Sequence, residues 1–291
     1  MSRSPFHPGE RDVQRRAGVA EAAQAVGRII GGTVSPAAAR FLEEQRLALA
    51  GSLDASGRPW ASVLSGPAGF IDAVDERLVS VAARPAAGDP LEPNLRTRPE
   101  LALLVLDPST QRRMRLNGRG LLAEDGLFLS TEQVYGNCPK YIQRRRITGA
   151  NARPAGAVAS SPALDARQRE WIARADTLFI ASFHPAGGPD VSHRGGNPGF
   201  VRVHDGRHLE IPDYAGNAMF NTLGNLVEYP RAGLLFVDFA NGDTLQLTGR
   251  AQVRFEPRRA IEVEVDEVRE TAAGHGLTWD LVAYSAVNPQ V

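Results

Sequence analysis

The sequence has a single cysteine, Cys138, among 291 residues. That excludes an intrachain disulfide framework, a cysteine zinc site and a cysteine-ligated iron–sulfur cluster within one chain. It also lacks an excess of either charge. Its 33 basic residues face 33 acidic ones, which argues against a polyanion binder held by a broad basic surface. No uncharged apolar run approaches the roughly 18 residues of a membrane span. The opening MSRSPFHPGERDVQRR has no apolar core of a signal peptide. These absences lead us to expect a soluble, cytoplasmic protein with neither nucleic acid nor membrane as partner. Lysine is almost missing too: Lys140 is the only one, and the other basic residues are arginine. Arginine-favouring codon usage is the simplest reading of the bias. The lone lysine nevertheless sits two residues after the lone cysteine, in Asn137-Cys138-Pro139-Lys140-Tyr141.

Hydrophobic residues make up 43% of the chain, enough for a sizeable core. The length suggests two domains or one large one, and self-comparison favours two. Residues 53–71 (LDASGRPWASVLSGPAGFI) lie over 183–201 (FHPAGGPDVSHRGGNPGFV) at an offset of 130, matching Gly57, Pro59, Ser62, Gly66, Gly69 and Phe70 with their counterparts. Beyond a one-residue slip the offset is 131, and Asn94-Leu95, Pro99, Leu103-Leu104 and Leu116-Asn117-Gly118-Arg119 meet Asn225-Leu226, Pro230, Leu234-Leu235 and Leu247-Thr248-Gly249-Arg250. One duplication is not a solenoid, which needs three or more copies. Each copy reads as a hairpin at a Gly/Pro turn, further short strands and one inserted helix. A small closed β-barrel satisfies that pattern, since closure removes exposed edges.

The resulting organisation is mainly β with α (α+β). An N-terminal helical segment spans 1–46, with helices over 10–30 and 36–46. A first barrel spans 47–146. A linker (147–161) and a helix opened by Ser161-Pro162 fill 147–177. A second barrel spans 178–291, with Ala260–Val265 as one more strand or a helix start.

The two copies differ where chemistry would sit. Copy two has Ser192-His193-Arg194 where copy one has Ser62-Val63-Leu64. Copy two has a helix that Asn217 would cap, with Asn221 and Thr222 near its first turn. Copy one has Gly88-Asp89-Pro90-Leu91-Glu92-Pro93 there, two prolines and an acid that make a poor anion cradle. Exposed amides, an Asn/Thr cluster and a nearby arginine suit a phosphate. Solvated polar groups, with Arg194 paired to a surface acid, would explain the same residues.

Several stretches resemble the pyridoxamine 5'-phosphate oxidase-like FMN-binding split barrels, particularly bacterial two-barrel members. They are Gly188–Gly196, Pro198–Val201, Ile211–Asn217, Asn225–Phe236 and Leu247–Ala251, together with Phe6–Glu10 and the Asn-Cys-Pro-Lys segment. The resemblance implies tandem split β-barrels of the FMN-binding type with N-terminal and linker helices, and FMN held by its phosphate between the barrels. It places the family's strand arginine in Ser192–Arg194 and its basic pair on Asn221 and Thr222, where neutral donors replace the charges. It places a flavin-contacting polar residue on Thr244, where copy one has Arg113. Asp213 and Asn217 are the next residues expected to contact the cofactor. The segment holding Tyr135, Asn137, Lys140, Tyr141 and Gln143 would supply the missing cation and a wall, with Lys140 in the cleft and Arg144, Arg145 and Arg146 as competitors for its role. Cys138 reads as a small buried residue or a reactive thiol. His184 and His193 read as structural or as donors to flavin or substrate.

The function expected is an FMN-binding oxidoreductase acting on an unidentified small molecule. Alternatives are a non-catalytic flavin or electron carrier served by a separate reductase, and a haem binder. No catalytic residue and no metal ligand stand out. The partners expected are a small-molecule substrate or electron donor, with a separate reductase and a homodimer left open. No G-x-G-x-x-G follows a strand, so a second dinucleotide domain is not expected.

Overall fold

The computed structural model describes residues 4–150 and 154–290. Before the first barrel come α1 (Pro8–Arg16), α2 (Ala20–Gly27) and α3 (Pro36–Glu43). The expected 10–30 helix is thus two helices, broken where Gly18 takes a φ of 68°. Ser35 caps α3 by accepting from the Ala38 amide at 3.2 Å.

The first barrel comprises β1 (Leu47–Leu53), β2 (Pro59–Ser65), β3 (Ile71–Ala73), β4 (Leu78–Val81), α4 (Leu91–Thr97), β5 (Glu100–Asp107), β6 (Arg112–Ala123) and β7 (Gly126–Gly136). Then follow β8 (Arg144–Ala150), β9 (Ala159–Ser161) and α5 (Ala166–Arg174). The second barrel comprises β10 (Thr177–His184), β11 (Gly188–Gly195), β12 (Arg202–Val203), β13 (His208–Pro212), α6 (Asn221–Glu228), β14 (Arg231–Val237), β15 (Thr244–Arg254) and β16 (Ala260–Thr271), with β17 (Leu277–Ala283) last. The linker therefore carries two strands, and its residues 151–153 lie outside the described ones. The helix expected from Ser161-Pro162 starts later, because Asp165 and Gln168 form a reciprocal cap at α5.

The duplication is explicit in the topology. The first sheet runs β2-β1-β5-β6-β7-β4-β3 and the second β11-β10-β14-β15-β16-β13-β12. Apart from β9, which pairs with β16 at the second sheet alone, every strand sits at the same place in both. Even the irregularities match: the register shifts at Asn117/Gly118 in one and at Thr248/Gly249 in the other. A Cβ on Gly118 would overlap the Ser130 carbonyl, and one on Gly249 the Glu264 carbonyl. The Asn-Gly-Arg and Thr-Gly-Arg motifs thus need their glycines to let the bulge close. Gly118→Ala should lower stability by about 1–3 kcal/mol, the usual cost of overpacking. A urea midpoint equal to the parent's would contradict this reading.

Strands at the barrel junction are apolar on both faces because both are covered. In β1, Ala48 and Ala50 join the first barrel's core while Leu47 and Leu49 join a separate inter-barrel cluster. In β10, Leu178 and Ile180 face the second core, and Phe179 and Ala181 the junction. Alternation with period two makes this division automatic. β8 and β17, each following its own barrel, pair with one another and tie the halves together. Among the described residues no helix is long and apolar enough to cross a membrane.

Candidate functional site

A cleft opens where β6 of the first barrel meets β11 and α6 of the second. Its walls include Arg113 and Arg115 from β6, Ser192, His193 and Arg194 from β11, and Asp213 beyond β13. Asn217, Asn221 and Thr222 close it on the α6 side, and Asn137, Cys138 and Tyr141 on the β7 side. Seven of the nine site residues expected from sequence therefore come together.

The other two do not. Lys140, expected in the cleft, is exposed and outside its lining. Pro139 opens no helix there. The chain instead turns at Tyr141, whose φ is 66°, and Tyr141 enters the cleft, donating its hydroxyl to the Ala215 carbonyl at 2.9 Å. Nor do the competing cations line it: Arg145 is buried against Asp176 at 2.6 Å, and Arg144 and Arg146 are exposed. Thr244, also expected at the cofactor, is buried beneath Gly274 on β15. Facing α6 and β11, the cleft takes a further wall from β6 of the opposite barrel, so the residue in Thr244's role there is Arg113, at the matching position of β6. Arg115, which the sequence reading missed, comes from the same strand. Comparing it with Gln246, its counterpart 131 residues on, would have exposed it.

Arg115 anchors the site. It is 3% exposed and donates to the Val191 carbonyl (3.2 Å), the Tyr135 hydroxyl (2.8 Å), the Asn221 Oδ1 (3.0 Å) and the Ser192 hydroxyl. Asp190 balances its charge at 3.0 Å. Thr222 donates to Ser192 at 3.1 Å. Helix α6 begins at Asn221, later than expected. Ala218 and Phe220 both sit in the left-handed region, at φ 64° and 61°, so Asn217 cannot cap it. Instead Asn217 Oδ1 accepts from the Met219 amide at 3.2 Å. The α6 cap position, Phe220, offers no side-chain acceptor, leaving the first-turn amides without one from it. Arg194 pairs with Asp213 at 2.6 Å, and Arg259 holds the same carboxylate at 2.9 Å.

His193 has a definite tautomer. Arg113 Nη1 donates to its Nδ1 at 2.9 Å, so the ring hydrogen sits on Nε2. Burial, then Arg113, Arg145 and Arg194, push its pKa well below the ordinary value, so it stays neutral. Burial pulls Arg113 down to about 10, which still leaves it charged at neutral pH. Three buried polar atoms of the lining have no partner: Arg113 Nε, His193 Nε2 and Asn137 Nδ2. All three are donors. A cleft with three guanidinium groups and three unused N–H groups suits an anionic ligand rich in acceptors.

Helix α1 buttresses the site from behind. Asn221 Nδ2 donates to Glu10 Oε1 at 2.5 Å, and the His7 amide to Glu10 Oε2 at 2.8 Å. Burial and the nearby Asp190 raise Glu10 to about 8. The group His7, His184 and Glu228 has the spacing of metal ligands, but its hydrogens argue against a metal. His184 Nδ1 accepts from the Ala186 and Gly187 amides, so its Nε2 carries hydrogen toward Glu228 at 3.2 Å. His7 Nε2 likewise faces an acceptor, Asn225 Oδ1, at 2.8 Å. The two imidazoles stack at 3.8 Å as a structural pair.

The family model described as pyridoxamine 5'-phosphate oxidase matches the chain twice, over residues 34–151 and 164–275. The chain belongs to that family, and each barrel is one copy of its domain. No curated protein matches it. Among solved structures, it is similar to HupZ of Group A Streptococcus at 11% identity, over 42% of this chain and 99% of that one, with a TM-score of 0.30. It is also similar to an FAD-binding protein of Mesorhizobium loti at 13% identity, over 40% and 98% of the two chains, with a TM-score of 0.29.

Proposed function

We propose that the chain binds one FMN in the inter-barrel cleft and exchanges electrons between it and a small molecule. The carrying observation is the donor-only character of the unused groups: Arg113 Nε, His193 Nε2 and Asn137 Nδ2, beside three arginines. Ser192, Thr222, Asn221, Arg115 and Arg194 would hold the phosphate. His193, Arg113 and Asn137 would donate to acceptors of the ring system, with Asp213 and Asn217 holding the loop between β13 and α6 against it. The flavin would supply the redox chemistry; the protein's part is binding, orientation and electrostatics. The neutral His193 would offer a hydrogen bond there without adding a charge.

Titrating the purified chain with FMN, FAD and riboflavin tests this reading. Tight binding of FMN with much weaker riboflavin binding is expected, since riboflavin lacks the phosphate. Equal affinity for the two would remove the phosphate from the account. Bleaching of the bound flavin by a reduced nicotinamide alone marks an oxidoreductase. Bleaching only with an added reductase marks the carrier.

A further inference from the structure

The duplication builds a second, matching place on the opposite side of the junction, and the two can be compared atom by atom. In the second barrel the Asn225 amide donates to Ser182 at 2.9 Å; in the first, the Asn94 amide donates to Ser52 at 2.9 Å. That shared bond fixes the correspondence. Ser62 stands for Ser192, Leu91 for Thr222 and Asp89 for Phe220. Gln246 of β15 stands for Arg115 of β6.

In the cleft, the donors around Ser192 converge with no carboxylate at the Phe220 position. In the matching place a carboxylate is already there. Asp89 is 8% exposed. Its Oδ1 accepts from the Ser62 hydroxyl at 2.6 Å and the Leu91 amide at 2.8 Å, and its Oδ2 accepts from Gln246 Nε2 at 2.9 Å. Each donor is the counterpart of a group that surrounds the cleft. The arginine has become a neutral amide, as fits a single negative charge in place of a phosphate.

We propose that Asp89 is an internal anion: its carboxylate occupies in the first barrel the position that the cofactor's phosphate takes in the second, and so limits the chain to one flavin. The inference rests on the proposed phosphate position in the cleft. It explains why Asp89 is buried in a segment otherwise unlike its counterpart. Burial raises its pKa to about 6, so at pH 8 the group is the anion the donors require.

Asp89→Ala would leave Ser62, Leu91 and Gln246 pointing into a carboxylate-sized gap. Refolding yield and Tm of this variant and of the parent are compared at pH 8 in chloride, acetate and inorganic phosphate at matched ionic strength. The variant should gain a few degrees in Tm, or refold at all, in acetate or phosphate relative to chloride, while the parent responds equally to all three. No selective gain for the variant, including failure to refold in every salt, overturns the proposal. The flavin-free protein is used, so this result does not depend on flavin binding. If flavin fails to bind the parent but the rescue appears, the reading of the cleft falls while the carboxylate's role as an internal anion stands. If one flavin binds and no rescue appears, Asp89 is only a capping side chain.

Discussion

Arg115→Ala should cost about 3–5 kcal/mol of folding stability, the usual penalty for leaving one partner of a buried ion pair alone. The residue joins the two barrels as well as lining the cleft. It holds the Val191 carbonyl and the Ser192 hydroxyl of the second barrel with a side chain from the first. Its removal strands Asp190, which is 7% exposed. Asn117 and Asn225 would still donate to that carboxylate, at 2.8 and 3.1 Å, but neither carries charge. Flavin affinity should fall by tenfold or more, since a charge-assisted hydrogen bond contributes about 1.5–3 kcal/mol. Urea unfolding at neutral pH measures the first effect and flavin titration of the remaining folded protein the second. A variant within about 0.5 kcal/mol of the parent, the scale of ordinary surface changes, would mean that Arg115 does not couple the barrels.

Glu10→Gln should flatten the loss of stability at alkaline pH. Glu10 is raised from 4.5 to about 8 in the folded chain, so the folded state holds the proton more tightly than the unfolded one. Its contribution is complete below pH 4.5 and is lost as pH rises through 8. The full span corresponds to about 5 kcal/mol at most, by linkage. Asp89, raised to about 6, adds a loss of the same sign over a lower range. His7 and His275, both lowered to about 4 by burial, act oppositely: stability is lost as pH falls from 6.5 toward 4. The parent should therefore be most stable in mildly acid solution. Urea midpoints at pH 6 and pH 9 should differ strongly for the parent and much less for Glu10→Gln. Equal differences would assign the alkaline loss to other groups.

How much of this was legible in the sequence follows from what a duplication reveals. Two copies of Gly-Phe, Asn-Leu and Gly-Arg, offset by 130 and then 131, reveal two barrels of one strand-and-helix pattern, because the bulge needs its glycine and the junction its apolar pairs. Differences between the copies, Arg194 against Leu64 and Asn221 against Pro90, marked which half would carry the cleft. The offset could not say which barrel's β-strand faces which helix. The exchange across the junction brings Arg113 and Arg115 to α6 and leaves Thr244 on the other side. Lys140 attracted attention because lysine is rare, yet rarity in composition carries no geometry. A left-handed Tyr141 decides that the tyrosine enters and the lysine stays in water. Glu10 was visible only as part of a familiar segment. Its role depends on the close approach of α1 to α6, where a Cβ on Gly224 would lie 2.6 Å from the Glu10 Cα.

The central claim is a single composite cleft, with its proposed phosphate position on the second barrel and cations from both barrels, Arg194 from the second and Arg113 and Arg115 from the first. The most direct measurement is the number of FMN molecules bound per chain at saturation, read by equilibrium dialysis and by release of flavin from denatured protein. One per chain is expected, because only one side of the junction pairs Arg115 with Ser192 and Thr222 while the other is filled by Asp89. Two per chain, or none, would contradict it.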